Sequence, residues 1–138
     1  MTWLGLDYGR RYIGVAIGHD LTQTASSLCS ISARKGVPDW QALGKLVSEW
    51  DPQGFVLGYP AKMDGSTQKI ARYVLLFQSN LIEHYHKPCY LVCERLTSYH
   101  ARSQLRSDVD KDTLNAKAAE IILQHWFDEG MPLSDKIE

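Results

Sequence analysis

The chain has 138 residues, 44% of them apolar, with 15 Lys and Arg against 16 Asp and Glu; this fits a single packed domain over residues 1–138, with about 131–138 as a C-terminal tail, and argues against disorder. No apolar run approaches the roughly 20 residues of a membrane-spanning helix, nothing at the start resembles a signal peptide, and three cysteines close no disulfide framework, so a reduced, cytoplasmic protein with no membrane partner is expected. The net charge of −1 excludes a uniformly basic nucleic-acid binder, but it is unevenly spread: residues 1–106 hold twelve Lys and Arg against eight Asp and Glu, and residues 107–138 hold three against eight. A mildly basic body therefore carries an acidic end, and local basic clusters matter more than the sum when the partner is a phosphate chain.

The first third reads as strands. Trp3 to Asp7 is a short run ending in a carboxylate, followed by Gly9. Tyr12 to Ile17 is largely apolar with β-branched residues, and Ala25 to Ala33 alternates small polar and apolar residues as a half-exposed strand does. The connection Tyr8-Gly9-Arg10-Arg11 is short enough for a hairpin, so these three runs predict an antiparallel meander. From Pro38 the period changes: Trp40, Leu43, Val47 and Trp50 follow helical spacing, and Asp51-Pro52 ends that helix. Gly54 to Gly58 reads as a buried strand. Ser66 to His86 predicts a long helix with Ile70, Tyr73, Val74, Phe77 and Leu81 on one face. Cys89 to Cys93 predicts another strand ending at Glu94, with a short helix around Ser98 to Leu105. A last helix begins near Thr113, with Leu114, Ala118, Ile121, Ile122 and His125 or Trp126 along its buried side, and closes at Gly130 and Pro132. A meander followed by strand–helix crossovers implies an α/β fold: a five-stranded mixed sheet, later strands parallel to the first, helices on both faces.

In open α/β sheets, sites lie beyond the carboxyl ends of the parallel strands. Asp7 and Glu94 both occupy such ends. Acids beside glycines can approach a metal or a phosphate closely, but a strand-end acid also serves as a cap or an ion-pair partner, and the residues alone leave both readings open. Cys89 and Cys93 are too far apart along one strand to share a metal and read as core thiols. His84 and His86 suit the negative end of a helix dipole; His19 and His100 are either surface histidines or proton shuttles. Tyr8 and Tyr59 are candidates for base stacking or for core or rim packing.

Four segments together resemble one known family. Asp7-Tyr8-Gly9-Arg10-Arg11-Tyr12-Ile13-Gly14-Val15-Ala16 matches the D-x-G-x-K/R-x-I-G-V-A opening of the YqgF/RuvX family; Gly58 to Ser66 is similar to its G-x-P-x-x-x-D-G-S/T segment; Glu94-Arg95-Leu96-Thr97-Ser98 is similar to most of its D-E-R-L-T/S-T segment; and Ala118 to Leu123 matches its closing A-A-x-x-I-L helix. Members are described as pre-16S rRNA nucleases or Holliday-junction-resolvase-like proteins. The resemblance implies an RNase H-like fold and phosphodiester hydrolysis assisted by Mg²⁺ or Mn²⁺. Its acidic set carries over to Asp7 and Glu94, while the third acid, which opens the last helix, falls on Asn115. That is a departure: an Asn carbonyl ligates a cation but supplies no charge, so a second ion would bind more weakly. Asp108, Asp110 or Asp112 could supply the missing acid, although acids before a helix usually cap it. Cys93 is a second departure, standing where the family commonly has an acid.

The resemblance therefore assigns Asp7, Glu94 and Asn115 to catalysis and metal binding. Arg10, Arg11, Lys62, Arg95, Arg102 and Lys117 flank them as cations for a phosphate backbone, which positions nucleic acid without reading its sequence. The implied partner is structured RNA, with precursor rRNA first. Branched DNA is the alternative substrate, and a non-catalytic nucleic-acid binder is the alternative that Asn115 keeps open. A small-molecule phosphotransferase is the weakest reading, since actin-like relatives need two such domains to enclose a nucleotide.

Overall fold

A long apolar run is stable in a strand only if both of its faces are covered, and Thr2–Asp7 (β1) is such a run, buried at Trp3, Leu4, Gly5 and Leu6. The computed structural model describes residues 1–60, 65–93 and 111–133, with the backbone alone at 65–68 and 111–113. β1 sits in the middle of one mixed sheet. Tyr12–His19 (β2) pairs antiparallel with it, Thr24–Arg34 (β3) pairs antiparallel with β2, and Val37–Pro38 (β4) adds to β3. On the other side of β1, Gly54–Tyr59 (β5) runs parallel to it and Cys89–Cys93 (β6) parallel to β5. The order is β4-β3-β2-β1-β5-β6.

The expected meander and parallel crossovers are both present, with one correction. The sheet has six strands rather than five, because the chain returns on itself after β3. Lys35 and Gly36 both take positive φ, 51° and 85°, so they form the two-residue hairpin turn whose twist suits antiparallel strands. This brings Val37 opposite Arg34.

Alternation along the strands divides the core in two. Leu4, Leu6, Val15, Phe55, Leu57 and Leu91 face Trp40–Trp50 (α1) and Gly65–Tyr85 (α2), packing on Leu43, Val47, Val74, Phe77 and Leu81. The opposite face carries Trp3, Ala16, Val56 and Val92 against Lys111–Asp128 (α3). Helices thus cover both faces. The predicted helix around Ser98–Leu105 lies outside the described residues.

Local chemistry sets the helix ends. The Asp39 carboxylate accepts the Ala42 N–H at 3.1 Å and caps α1, which stops at Asp51 in the left-handed region before Pro52. At the end of α3 the Met131 N–H reaches the Trp126 carbonyl and the Gly130 N–H the Phe127 carbonyl, a Schellman closure with Gly130 at φ 89°. The buried stripe of α3 runs through Ala118, Ala119, Ile122, Leu123, Trp126 and Phe127. Of the positions expected there, Leu114 and Ile121 are half-buried and His125 is exposed, because the helix turns its alanines and large aromatics to the sheet.

A polar seam joins α3 to the β3 edge. Glu120 accepts the Ser27 N–H at 2.9 Å and its hydroxyl at 3.2 Å, and it pairs with Lys117; Gln124 accepts the Ala25 N–H at 2.9 Å. Burial alone would raise the Glu120 pKa, but the hydrogen bonds from Lys117 and Ser27 and the Lys117 charge outweigh it and hold the carboxyl below its ordinary value. A folded-state pKa below the unfolded one contributes stability that is present above the unfolded value and lost as pH falls through the folded one. Melting temperature measured from about pH 6 to pH 3 should therefore fall more steeply in the native protein than in Glu120→Gln; parallel curves would mean that the seam carries no charge-dependent stability.

Candidate active site at the carboxyl end of the parallel strands

β1, β5 and β6 are mutually parallel, and their registers align Leu6 with Leu57 and Leu57 with Leu91. Asp7 therefore lies at the same sheet end as Gly58, Tyr59, Val92 and Cys93. By alternation Asp7 continues the row Trp3–Gly5, so its half-buried side chain is on the α3 face, while Tyr8 turns to the opposite core.

The glycines decide how closely α3 approaches this row. Asp7 pairs directly with Gly14 on β2. A Cβ on Gly14 would lie 1.9 Å from the Asn115 carbonyl oxygen, and one on Gly5 would lie 2.7 Å from the Leu123 Cβ and 2.9 Å from the Ala119 oxygen. Only a residue without a side chain lets the helix backbone rest there. Directly opposed antiparallel residues have Cα atoms roughly 4.5–5.5 Å apart, so Asn115 stands on the same face as Asp7, one cross-strand pair away. α3 starts at Lys111, which puts Asn115 and Lys117 in its second turn rather than at its opening.

The basic residues separate into groups. Arg10 and Arg11 are exposed on the β1–β2 connection, and the structure pins that connection down: the Arg10 carbonyl accepts the Gly36 N–H at 3.1 Å, the Arg11 carbonyl accepts the Ala33 N–H at 2.7 Å, and the Tyr8 hydroxyl donates to the Gly36 carbonyl at 2.6 Å. Burial, then the neighbouring Tyr73, push the Tyr8 pKa up, and Arg10 offsets part of this. Tyr8 is thus a buried strut, 8% exposed and stacked with Tyr73 at 6.4 Å, not an open platform for bases. Tyr59 also packs against the core, partly buried. Lys117 is engaged by Glu120. Glu94, Lys62, Arg95, Arg102 and His100 lie outside the described residues.

Several lesser expectations resolve into structure. Cys89 is a core thiol whose pKa burial pushes up, whereas Cys93 is exposed. His84 stacks on Trp40 at 4.1 Å, and His19 accepts the Leu21 N–H at 3.2 Å within a turn. Sequence reasoning missed Lys69 and Arg72, which line a cavity with Arg10, Tyr73 and Leu76. Their spacing of three on a helix, along the Tyr73 edge of the apolar stripe, was the available signal. Among the described residues no three His, Cys, Asp or Glu side chains are placed to share a metal. Asp7 provides one anionic oxygen donor and Asn115 a neutral one, a donor set that suits a hard divalent cation once a further carboxylate joins it.

Comparison with known proteins identifies the family and the fold. A family model described as RuvX, Holliday junction resolvase, matches residues 1–129. A protein of Pectobacterium atrosepticum named "Putative pre-16S rRNA nuclease" is 39% identical over 132 residues, 92% of this chain and 95% of that one. One of Pseudomonas fluorescens with the same name is 36% identical over 136 residues, 94% of each chain. Among solved structures, T. thermophilus RuvC in complex with a Holliday junction substrate superposes with a TM-score of 0.60 at 14% identity, covering 99% of both chains; this likeness is one of fold, the RNase H-like mixed sheet.

The Gly14 contact yields a direct prediction. Gly14→Ala places a methyl group against helix backbone that has no rotamer with which to yield, so it should destabilise the protein by about 1–3 kcal/mol or more. Urea denaturation checks this; a loss under about 0.5 kcal/mol, the range of an ordinary surface change, would mean that α3 does not rest on β2 at this point.

Proposed function

The chain belongs to the RuvX family, and on that premise we propose that it is a nuclease hydrolysing phosphodiester bonds in structured RNA, with the 5′-end maturation of pre-16S rRNA as its role. The observation that carries this reading is the seating of Asn115 on Gly14, directly across from Asp7, at the sheet end where β1, β5 and β6 all terminate. Relatives 36–39% identical over more than nine-tenths of the chain bear the pre-16S rRNA nuclease name, which supports the choice of substrate. Junction DNA is the second substrate to be tested, because the matching family is described as a Holliday junction resolvase.

In this reading Asp7, Asn115 and Glu94, the residue that follows Cys93 in the sequence, would hold Mg²⁺ or Mn²⁺. When bound, such an ion supplies Lewis-acid charge to the phosphoryl group and orients the attacking and leaving oxygens. The protein supplies the rest. Asp7 fixes the position of the reacting phosphate along the axis of β1, because its backbone is held in register by Gly14 on β2 and the preceding Leu6 by Leu57 on β5. Arg10 and Arg11, on a connection tied to the β3–β4 hairpin, receive the phosphates next to the cut; Lys62, Arg95, Arg102 and Lys117 are the further cations proposed to extend that track. These contacts position the strand without selecting sequence. Lys117 must exchange its Glu120 partner for phosphate to take part.

The test is cleavage of a labelled precursor-rRNA 5′ fragment, beside junction DNA, with Mg²⁺, Mn²⁺ or EDTA. Metal-dependent RNA cleavage should be lost by on the order of a hundredfold or more in Asp7→Ala, since even outer partners of metal ligands cost 10–100-fold. Tight binding without cleavage under any metal would instead favour a binding protein. Asn115→Asp adds an anionic oxygen of nearly the same shape, so half-maximal cleavage should require several-fold less metal. An unchanged titration would remove Asn115 from the ligand set.

A further inference from the structure

On the other side of the β1 terminus from Asp7 lies a cavity of about 450 Å³, lined by Arg10, Lys69, Arg72, Tyr73 and Leu76. Arg10 comes from the β1–β2 connection, and its guanidinium lies 5.2 Å from the centre of the Tyr73 ring; the other four come from the first half of α2. Lys69 and Arg72 are exposed, and Leu76 is 58% exposed although it is a leucine. Among the described residues the cavity has no acidic wall, and none of its three cations is in an ion pair. The floor is rigid. Tyr73 is stacked on Tyr8, Tyr8 is bonded to the Gly36 carbonyl, and Gly36 has no room for a side chain beyond the two rings, with a Cβ there meeting the Tyr8 hydroxyl at 3.0 Å and Tyr73 at 3.2 Å.

Three cations beside an aromatic edge and an exposed leucine combine the two halves of a nucleotide's chemistry, an anionic phosphate and an apolar sugar–base face. A cavity of this size takes one nucleotide and not a duplex. It is also continuous through Arg10 with the connection that follows Asp7. We infer that this cavity is a subsite for one nucleotide of a single-stranded extension flanking the cleaved bond, its phosphate held by Arg10, Lys69 and Arg72 and its base laid against Leu76 and the Tyr73 edge. This deepens the nuclease reading and rests on it. The substrate then crosses the β1–β2 connection, with its scissile phosphate on the α3 face and its single-stranded flank on the α2 face. Recognition is of strand type and not of sequence, because the three cations are committed to the phosphate and the base meets only Leu76 and the Tyr73 edge.

The experiment measures binding by fluorescence anisotropy in EDTA, so that it does not depend on cleavage. Its probes are an RNA hairpin with a blunt end and the same hairpin with an extension of about six nucleotides, within the range of known single-strand sites, together with DNA versions of both. The native protein should bind the extended RNA about tenfold more tightly than the blunt one. In the double variant Lys69→Gln, Arg72→Gln that ratio should fall toward one, and the salt dependence of the extended complex should weaken by about 0.7 in slope, the value for one phosphate no longer neutralised on a single strand. Both positions are exposed, so the helix keeps its packing, and thermal melting verifies this. A native ratio near one, or a variant that lowers blunt and extended affinities by the same factor, would overturn the subsite while leaving the nuclease reading intact. Absence of binding to every probe would overturn both. The same ratio with DNA extensions means that the subsite recognises the phosphodiester chain, and a ratio confined to RNA adds recognition of the 2′-hydroxyl.

Discussion

The close approach of α3 to the sheet is the constraint on which the rest of the molecule depends. Gly5, Gly14 and Gly18 form a track without side chains along two adjacent strands, and the helix lies in it with Leu123, Ala119, Phe127 and the Asn115 backbone in contact. At Gly14, and at Gly5 against the Ala119 carbonyl, helix backbone rests on strand backbone and cannot adjust by changing rotamer, whereas at Gly18 the Phe127 and Leu123 side chains fill the space. The Trp3, Tyr90 and Trp126 rings pack on one another on the same face, with Trp126 fully buried and its indole N–H bonded to the Pro132 carbonyl at 2.9 Å. The contact of Gly14 with the Asn115 backbone sets the position of Asn115 relative to β2 and, through the Asp7–Gly14 pair, relative to β1. The candidate site follows from helix docking rather than from a loop.

The opposite face is built differently. There Tyr8 and Tyr73 stack beneath the β3–β4 hairpin, and hydrogen bonds from Gly36 and Ala33 hold the Arg10–Arg11 connection in place. An arginine pair on a free loop would lose side-chain and backbone entropy on meeting phosphate; on a pinned connection most of the backbone part has already been lost on folding. The two-residue β4, which adds little to the sheet, thus has a consequence for electrostatics. It keeps cations at the end of β1 without placing them in the core.

Much of this was legible in the sequence because periodicity reports burial. The apolar runs of β1 and β2, the helical stripe through Tyr73, Val74, Phe77 and Leu81, and the stop at Asp51-Pro52 all follow from local rules, and the structure contains them. The turn at Lys35-Gly36 was not legible: it requires a lysine in the left-handed region, where Asn or Asp would have announced it. The role of Gly14 was equally hidden. A glycine inside a strand pattern signals a bulge, a bend or a close approach, and only the position of α3 selects among them. For Tyr8 the sequence left base stacking and core packing both open, and only the hydroxyl bonded to Gly36 and the stack on Tyr73 decide for the core. The cavity on α2 was overlooked because Lys69 and Arg72 look like ordinary solvated helix charges until Arg10 is brought beside them.

The central claim is that Asp7 and Asn115 face one shared cation position, created by the seating of α3 on β2. Anomalous diffraction from crystals soaked in Mn²⁺ tests it most directly, because the scattering locates the ion without reference to activity. The account predicts an anomalous peak within ordinary ligand distance, roughly 2.0–2.6 Å, of a carboxylate oxygen of Asp7, with the Asn115 side-chain oxygen in the same coordination sphere. A peak that engages Asp7 but leaves Asn115 turned away, or Mn²⁺ bound only at sites remote from the end of β1, would contradict it.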